Sequence, residues 1–229
     1  MVTEDAVDEF VERNLQGCGR TFQNVENMYA GDSDESKNIV GNVKLYLKRM
    51  LKENPAYLIV GEAPGYKGCR HSGVPFTSER NLLQTDFFRE QGGYRVRNPK
   101  KPESEASATI VWNFLCPPDG GKRKPVPLIW NAFPFHPYDP AKVTKNGTKS
   151  NRKPNAEELS FGKGILEALI KLYGFGAKNV VAVGKTAEAV LEKIFPGEII
   201  FEVPHPANGQ KADFEEGLSN FILSLNLSV

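Results

Sequence analysis

Three residues able to do chemistry, Glu62, Asn131 and His205, each stand directly after a short apolar run. Each is bracketed by glycine or proline, in Gly61-Glu62-Ala63-Pro64-Gly65, in Asn131-Ala132-Phe133-Pro134 and in Pro204-His205-Pro206-Ala207-Asn208-Gly209. A carboxylate can activate water, an amide carries a donor and an acceptor together, and an imidazole changes charge near neutral pH. Taken singly, Glu62 is explained as a helix cap, Asn131 as a turn former and His205 as a satisfied loop histidine. Arriving together at one edge of a sheet, they make a site.

The elements that must deliver them follow from periodicity. Tyr57 to Val60 is a continuous apolar run, the pattern of a strand buried on both faces, and Val126 to Trp130, Val180 to Val183 and Ile199 to Val203 are similar runs, the last with Glu202 inside it. Helical spacing covers Asn155 to Tyr173, Thr186 to Ile194 and Phe214 to Leu225, and segment 106–115 also reads as a helix. Alternating strands and helices predict an α/β fold: three layers, α/β/α, around a central four-stranded parallel sheet. In such sheets ligands bind beyond the carboxyl ends of the strands, where Glu62, Asn131 and His205 stand.

Two further helices precede the first strand. Val7, Phe10, Val11 and Leu15 share one face from Ala6 to Leu15, and Ile39, Val43, Tyr46, Leu47 and Met50 do so from Asn38 to Leu51. Asn54-Pro55 ends the second, because a residue before proline is pushed out of the helical region. One domain of residues 1–229 is expected, with a helical part over 1–55 and an α/β core over 56–225. Two long polar stretches interrupt it, Gly92 to Glu105 with Arg95, Arg97, Lys100 and Lys101, and Tyr138 to Pro154 with Lys142, Lys145, Lys149, Arg152 and Lys153. Their clustered cations suit a phosphate-facing surface, although most such lysines are ordinary solvated surface.

Composition sets limits without choosing a function. The 229 residues carry 29 basic and 28 acidic groups, a formal net charge of +1, so any nucleic-acid contact must come from a local basic surface. The acidic start lacks the character of a signal peptide, and no apolar run approaches the ~18 residues of a membrane span. The three cysteines, Cys18, Cys69 and Cys116, are read as reduced thiols of a cytosolic protein. Gly184-Lys185-Thr186 looks like the end of a phosphate loop, but Asn179 replaces the required earlier glycine, so Lys185 is read as opening a helix. Cys69, His71, His136 and His205 have no metal-ligand spacing beyond Cys69-Arg70-His71.

The motifs resemble those of the uracil-DNA glycosylase superfamily, in family order over about residues 56–225. Gly61-Glu62-Ala63-Pro64-Gly65, with Gly73-Val74-Pro75-Phe76 eight residues later, is similar to the first motif. Its opening matches the iron–sulfur class, and Ser72 to Phe76 is closer to the single-strand-selective monofunctional class. Leu128-Ile129-Trp130-Asn131 resembles the second strand with its base-reading asparagine, and His205-Pro206-Ala207-Asn208 resembles the terminal histidine motif. Asn151-Arg152-Lys153-Pro154, with Glu157-Glu158, and Val181-Ala182-Val183-Gly184 again resemble the iron–sulfur class.

The resemblance implies an enzyme that flips a damaged base out of DNA and hydrolyses its glycosidic bond. Phe76 would stack on the base, Asn131 would read the O4/N3 edge of uracil, and the backbone around Ala63, Pro64 and Gly65, through the N–H groups of its non-proline residues, would help hold it. His205 would hydrogen-bond O2 and stabilise the departing anion, and Glu62 would position water at C1′. Lys185, Asn208 and Lys211 are expected on the DNA backbone. Two departures matter. Phe135-His136-Pro137 stands where the iron–sulfur class places a cysteine, so no metal cluster and no cofactor are expected. Gly65 stands where the most uracil-restricted class carries a tyrosine that excludes the thymine methyl, which leaves acceptance of 5-substituted bases open. The expected partner is DNA containing a damaged base, engaged by a monomer away from any membrane. A non-catalytic nucleic-acid-binding relative and a hydrolase of free nucleosides stay open as alternatives.

Overall fold

The structure, a computed structural model, describes residues 3–143, 149–207 and 209–228. In chain order it contains α1 (Glu4–Val11), β1 (Val25–Glu26), α2 (Asp34–Glu53), β2 (Leu58–Gly61), α3 (Cys69–Ser72), α4 (Glu79–Gln84), α5 (Asp86–Gln91) and α6 (Ala106–Leu115). There follow β3 (Leu128–Asn131), β4 (His136–Val143), β5 (Lys149–Asn151), α7 (Ala156–Tyr173), β6 (Val180–Val183), α8 (Lys185–Ile194), β7 (Phe201–Val203) and α9 (Lys211–Ser224).

The four apolar runs form one parallel sheet in the order β3-β2-β6-β7, with helices on both faces, so the architecture is the three-layer α/β/α arrangement. All residues of β2, β3 and β6 are buried, as strands sandwiched between helical layers must be. Register pairs Leu58 with Leu128 and Gly61 with Asn131, which sets the ends of β2 and β3 side by side. The last run starts later than its apolar character suggests: β7 opens at Phe201, and Ile199 is 95% exposed.

Local chemistry sets the helix ends. Ser33 caps α2 by accepting the Ser36 N–H, and Asn54 closes it in the left-handed region (φ 47°), immediately before Pro55. Asn155 and Glu158 form a reciprocal capping box at the start of α7, and Gly174 ends that helix with positive φ. The expected first helix begins at Glu4, and its last turn widens into a π-helix over Glu12–Gln16. Its Val7, Phe10, Val11 and Leu15 join the same apolar core as the sheet, with Phe10 edge-on to Trp130 at 5.8 Å. No helix among the described residues is long and apolar enough to cross a membrane.

The polar stretch from Tyr138 to Pro154 is not simply a loop. It contains most of β4 and all of β5, an antiparallel hairpin that also pairs β4 with β1; residues 144–148, including Lys145, lie outside the described residues. Pro137 and Pro140 disguise the first strand, since proline is confined to edge strands and irregular pairings, and the register does shift between Asp139 and Val143. Nor does every cation in the stretch face outward. The Arg152 guanidinium donates to both oxygens of Glu158, at 2.6 and 2.8 Å, and to the carbonyls of Gln23 and Asn24. Glu158 is fully buried. In the other polar stretch Arg97 is likewise held by buried Glu79, which also accepts the Arg97 and Glu103 N–H groups. Arg152→Ala would strand the Glu158 carboxylate with little beyond the Asn155 N–H. A loss of about 2 kcal/mol is expected, because a buried charge loses its partner although Arg152 itself is partly exposed. Thermal denaturation should show a fall of ~5 °C; a change under ~1 °C would mean that the pair is dispensable.

Candidate active site

The carboxyl ends of the four parallel strands carry the site, and Gly61 shows how closely its parts approach. A Cβ at Gly61 would collide with the Phe76 ring and lie 2.8 Å from Asn131 Oδ1. Only a bare backbone therefore lets ring and amide converge on the end of β2. Phe76 turns in through a positive φ of 47°, uncommon for an aromatic residue, and its ring centroid lies 5.9 Å from that of His205 at an interplanar angle of 38°. Asn131 is 4% exposed, and its side-chain amide makes no hydrogen bond among the described residues. Both amide groups are thus free for a ligand, and neither is among the fully buried atoms left without a partner.

His205 follows β7 and presents much of its surface to solvent. Its Nδ1 accepts the Ala207 N–H at 3.2 Å, which leaves the neutral ring's proton on Nε2 as a donor. Desolvation by the surrounding protein lowers the His205 pKa, and the nearby Glu62 carboxylate opposes that shift in part. The ring is therefore neutral at pH 7. Glu62 follows β2, where its backbone carbonyl accepts the Phe133 N–H at 3.0 Å. Its Oε2 accepts a 2.6 Å hydrogen bond from Thr186 Oγ1, leaving Oε1 available. Thr186 is the second residue of α8, whose N-cap Gly184 supplies no side-chain bond, so the carboxylate lies at the favourable end of that helix dipole.

Glu62, His205, Phe76 and Asn131 therefore form one continuous constellation: a carboxylate acting on an imidazole, an imidazole beside a ring, and a ring beside an amide. It can position water, donate to a developing anion, hold a flat ring and read a donor–acceptor edge. Pro64 is fixed from behind, because its carbonyl accepts from His136 Nδ1 at 2.9 Å. Burial lowers the His136 pKa, and this 1% exposed residue serves the loop rather than a metal. Among the described residues no group of three or more His, Cys, Asp or Glu side chains is arranged to hold a metal ion. Ala63 and Gly65, half-buried, continue the same loop.

The residues expected on the DNA backbone are less concentrated. Lys185 is exposed, but its ammonium lies 3.0 Å from both Glu188 and Glu202. Lys211, the first residue of α9, is exposed and 3.7 Å from Glu215, and Asn208 lies outside the described residues. Lys100 and Lys101 remain exposed on the stretch preceding α6. Sequence reasoning missed Thr186. Its signal was its place in the first turn of the helix after β6, where side chains meet the neighbouring strand ends.

A family model described as the uracil DNA glycosylase superfamily matches residues 49–222. No curated protein matches the chain. Among solved structures, the fold is similar to the crystal structure of wild-type Pedobacter heparinus SMUG2, with a TM-score of 0.63 and 16% sequence identity over 96% of this chain and 97% of that one.

Proposed function

The chain belongs to the uracil DNA glycosylase superfamily, and from that premise we propose that it is a monofunctional DNA N-glycosylase that releases uracil or a related deaminated or 5-substituted base. The observation that carries this reading is the convergence of Glu62, Asn131, His205 and Phe76 around the glycine end of β2. A base turned out of the duplex stacks on Phe76, a contact worth about 1–3 kcal/mol per base. Asn131 donates to O4 through its amide nitrogen and accepts from N3–H through Oδ1. The Nε2–H of neutral His205 donates to O2, where negative charge collects as the glycosidic bond breaks. The free oxygen of Glu62 orients water toward C1′, and its charge balances the oxocarbenium-like sugar. Water adds to C1′ and the base leaves with the bond's electron pair, so no metal or nucleotide cofactor is needed. The protein acts as one domain and as a monomer, with Lys211 and, once drawn from its carboxylates, Lys185 meeting phosphates.

Phe76 has two roles in this scheme. At 8% exposure its ring is packed into the core as well as walling the pocket, so substitution there perturbs folding and binding together.

The test is incubation with single- and double-stranded oligonucleotides carrying uracil, hypoxanthine, xanthine or 5-hydroxymethyluracil, followed by probing for abasic sites, with free deoxyuridine in parallel. Abasic sites in at least one oligonucleotide support the reading. Hydrolysis of deoxyuridine alone would make it a nucleoside hydrolase, and binding without cleavage a non-catalytic relative.

Thr186 supplies a finer check on Glu62. Valine keeps its shape and removes the hydroxyl, so Thr186→Val should slow the bond-breaking step by about tenfold with little change in Kd, the size of one hydrogen bond to a charged group. Thr186→Ser should recover most of the rate. Equal losses in both variants, or a change confined to Kd, would mean that the hydroxyl does not position the carboxylate.

A further inference from the structure

Glu105, a half-buried residue, carries a carboxyl that the chemistry above does not use. It is the N-cap residue of α6, yet its side chain makes no capping bond to that helix. Instead the carboxyl lies against the backbone of Gly65 and Gly68. A Cβ on either glycine would collide with a carboxyl oxygen, and one on Gly68 would also lie 2.6 Å from Glu105 Cδ. Two glycines thus admit a carboxyl into the loop that joins Glu62 to Phe76. Among the described residues no cation pairs with it; burial raises its pKa, and a hydrogen bond from Ser107 offsets this in part.

The strand order shows which side of the site this is. His205 follows β7 at one edge of the sheet, and Asn131 follows β3 at the other. The Gly65–Gly68 segment is tied to elements that come after β3: Pro64 to His136 of β4, and the Tyr66 N–H to Asn151 Oδ1 of β5 at 2.9 Å. The recess holding Glu105 is therefore on the β3 side, away from His205. In a pyrimidine ring C2 and C5 are opposite atoms. A ring that turns O2 to His205 and its O4/N3 edge to Asn131 points C5 away from His205, toward this recess. Gly65, having no side chain, lets the Glu105 carboxyl stand there in place of one.

On the glycosylase reading, we infer that Glu105 is a specificity-determining residue whose carboxyl accepts a hydrogen bond from a hydroxyl-bearing substituent at C5 and disfavours an apolar methyl there. A buried polar group facing a methyl is left unpaired, whereas one facing a hydroxyl is satisfied, and such pairing is what lets a site separate near-isosteric substrates.

The experiment compares single-turnover excision of uracil, 5-hydroxymethyluracil and thymine from one oligonucleotide sequence by the parent, Glu105→Leu and Glu105→Gln. Leucine keeps the volume and removes the acceptor, while glutamine keeps an acceptor oxygen. The ratio of 5-hydroxymethyluracil to uracil excision should fall about five- to tenfold in Glu105→Leu, with thymine rising relative to uracil, and stay within about threefold of the parent in Glu105→Gln. Because the readout is a ratio within one preparation, partial loss of folded protein cancels, and Glu105→Ala serves the same comparison if leucine is not accommodated. An unchanged ratio in the leucine variant, or a parallel loss on both uracil substrates, overturns this role for Glu105 alone. A parent that releases none of the bases overturns the glycosylase reading and this inference with it.

Discussion

His205→Ala is expected to slow single-turnover uracil excision by about 10²–10³-fold, the usual cost of removing one donor aimed at a developing anion. The geometry gives the loss its character. Nδ1 is occupied by the Ala207 N–H, so the ring offers its single proton through Nε2, and alanine leaves O2 without a donor at the moment charge reaches it. Affinity for abasic-site product should change much less, because phosphate contacts carry most of it. The parent's pH profile follows from the lowered His205 pKa. Desolvation shifts half-protonation below the ordinary value of about 6.5, so the half-maximal rate should come below pH ~6.5 and the full rate be reached by pH ~7.5. It should fall only in acid, where a proton on Nδ1 displaces the Ala207 N–H. A plateau that begins only above pH 7.5 would contradict a neutral ring, and near-parental cleavage by His205→Ala would remove the residue from the chemistry.

Asn131→Asp should change which base is tolerated. The amide is 4% exposed at the end of β3, pressed toward Phe76 across Gly61, so its replacement cannot turn away to solvent. An ionised carboxylate only accepts hydrogen bonds. It repels uracil O4 while suiting the amino group of cytosine. Uracil excision should drop at least ~100-fold, since a buried charge is set against an acceptor. Weak release of cytosine should appear in the same assay. Uracil excision within tenfold of the parent would mean that Asn131 does not read the base.

The sheet was legible because β2, β3 and β6 come from apolar runs buried on both faces, which cannot be much else; β7, with Glu202 inside it and Phe201 37% exposed, gave a weaker signal. Glu62, Asn131 and His205 were legible for a related reason, since a polar residue flanked by glycine or proline straight after such a run has to sit at the strand's carboxyl end. The β4–β5 hairpin was not. Its prolines, lysines and shifted register hide the alternation of a strand, and its pairing with Val25 and Glu26 joins segments far apart in sequence. The same distance hid Thr186, which reaches Glu62 across 124 positions, and Glu105, whose role depends on two glycines in another loop. The basic stretches misled in part. Arg97 and Arg152 count as cations in a sequence, but in the fold each closes on a buried glutamate, while Lys100, Lys101, Lys142 and Lys153 face solvent.

Single-turnover reaction of the parent with a uracil-containing oligonucleotide in ¹⁸O-labelled water, read by mass spectrometry of both products, tests the central claim most directly. Hydrolysis through Glu62-oriented water predicts free uracil in amounts equal to an intact strand bearing one abasic sugar. That sugar should carry one ¹⁸O atom at C1′ when trapped by reduction before exchange, and in an unreduced aliquot the strand should break only on later treatment with alkali. Release of uracil with no label on the reduced sugar, strand cleavage without alkali, or binding with no release of base would contradict the account.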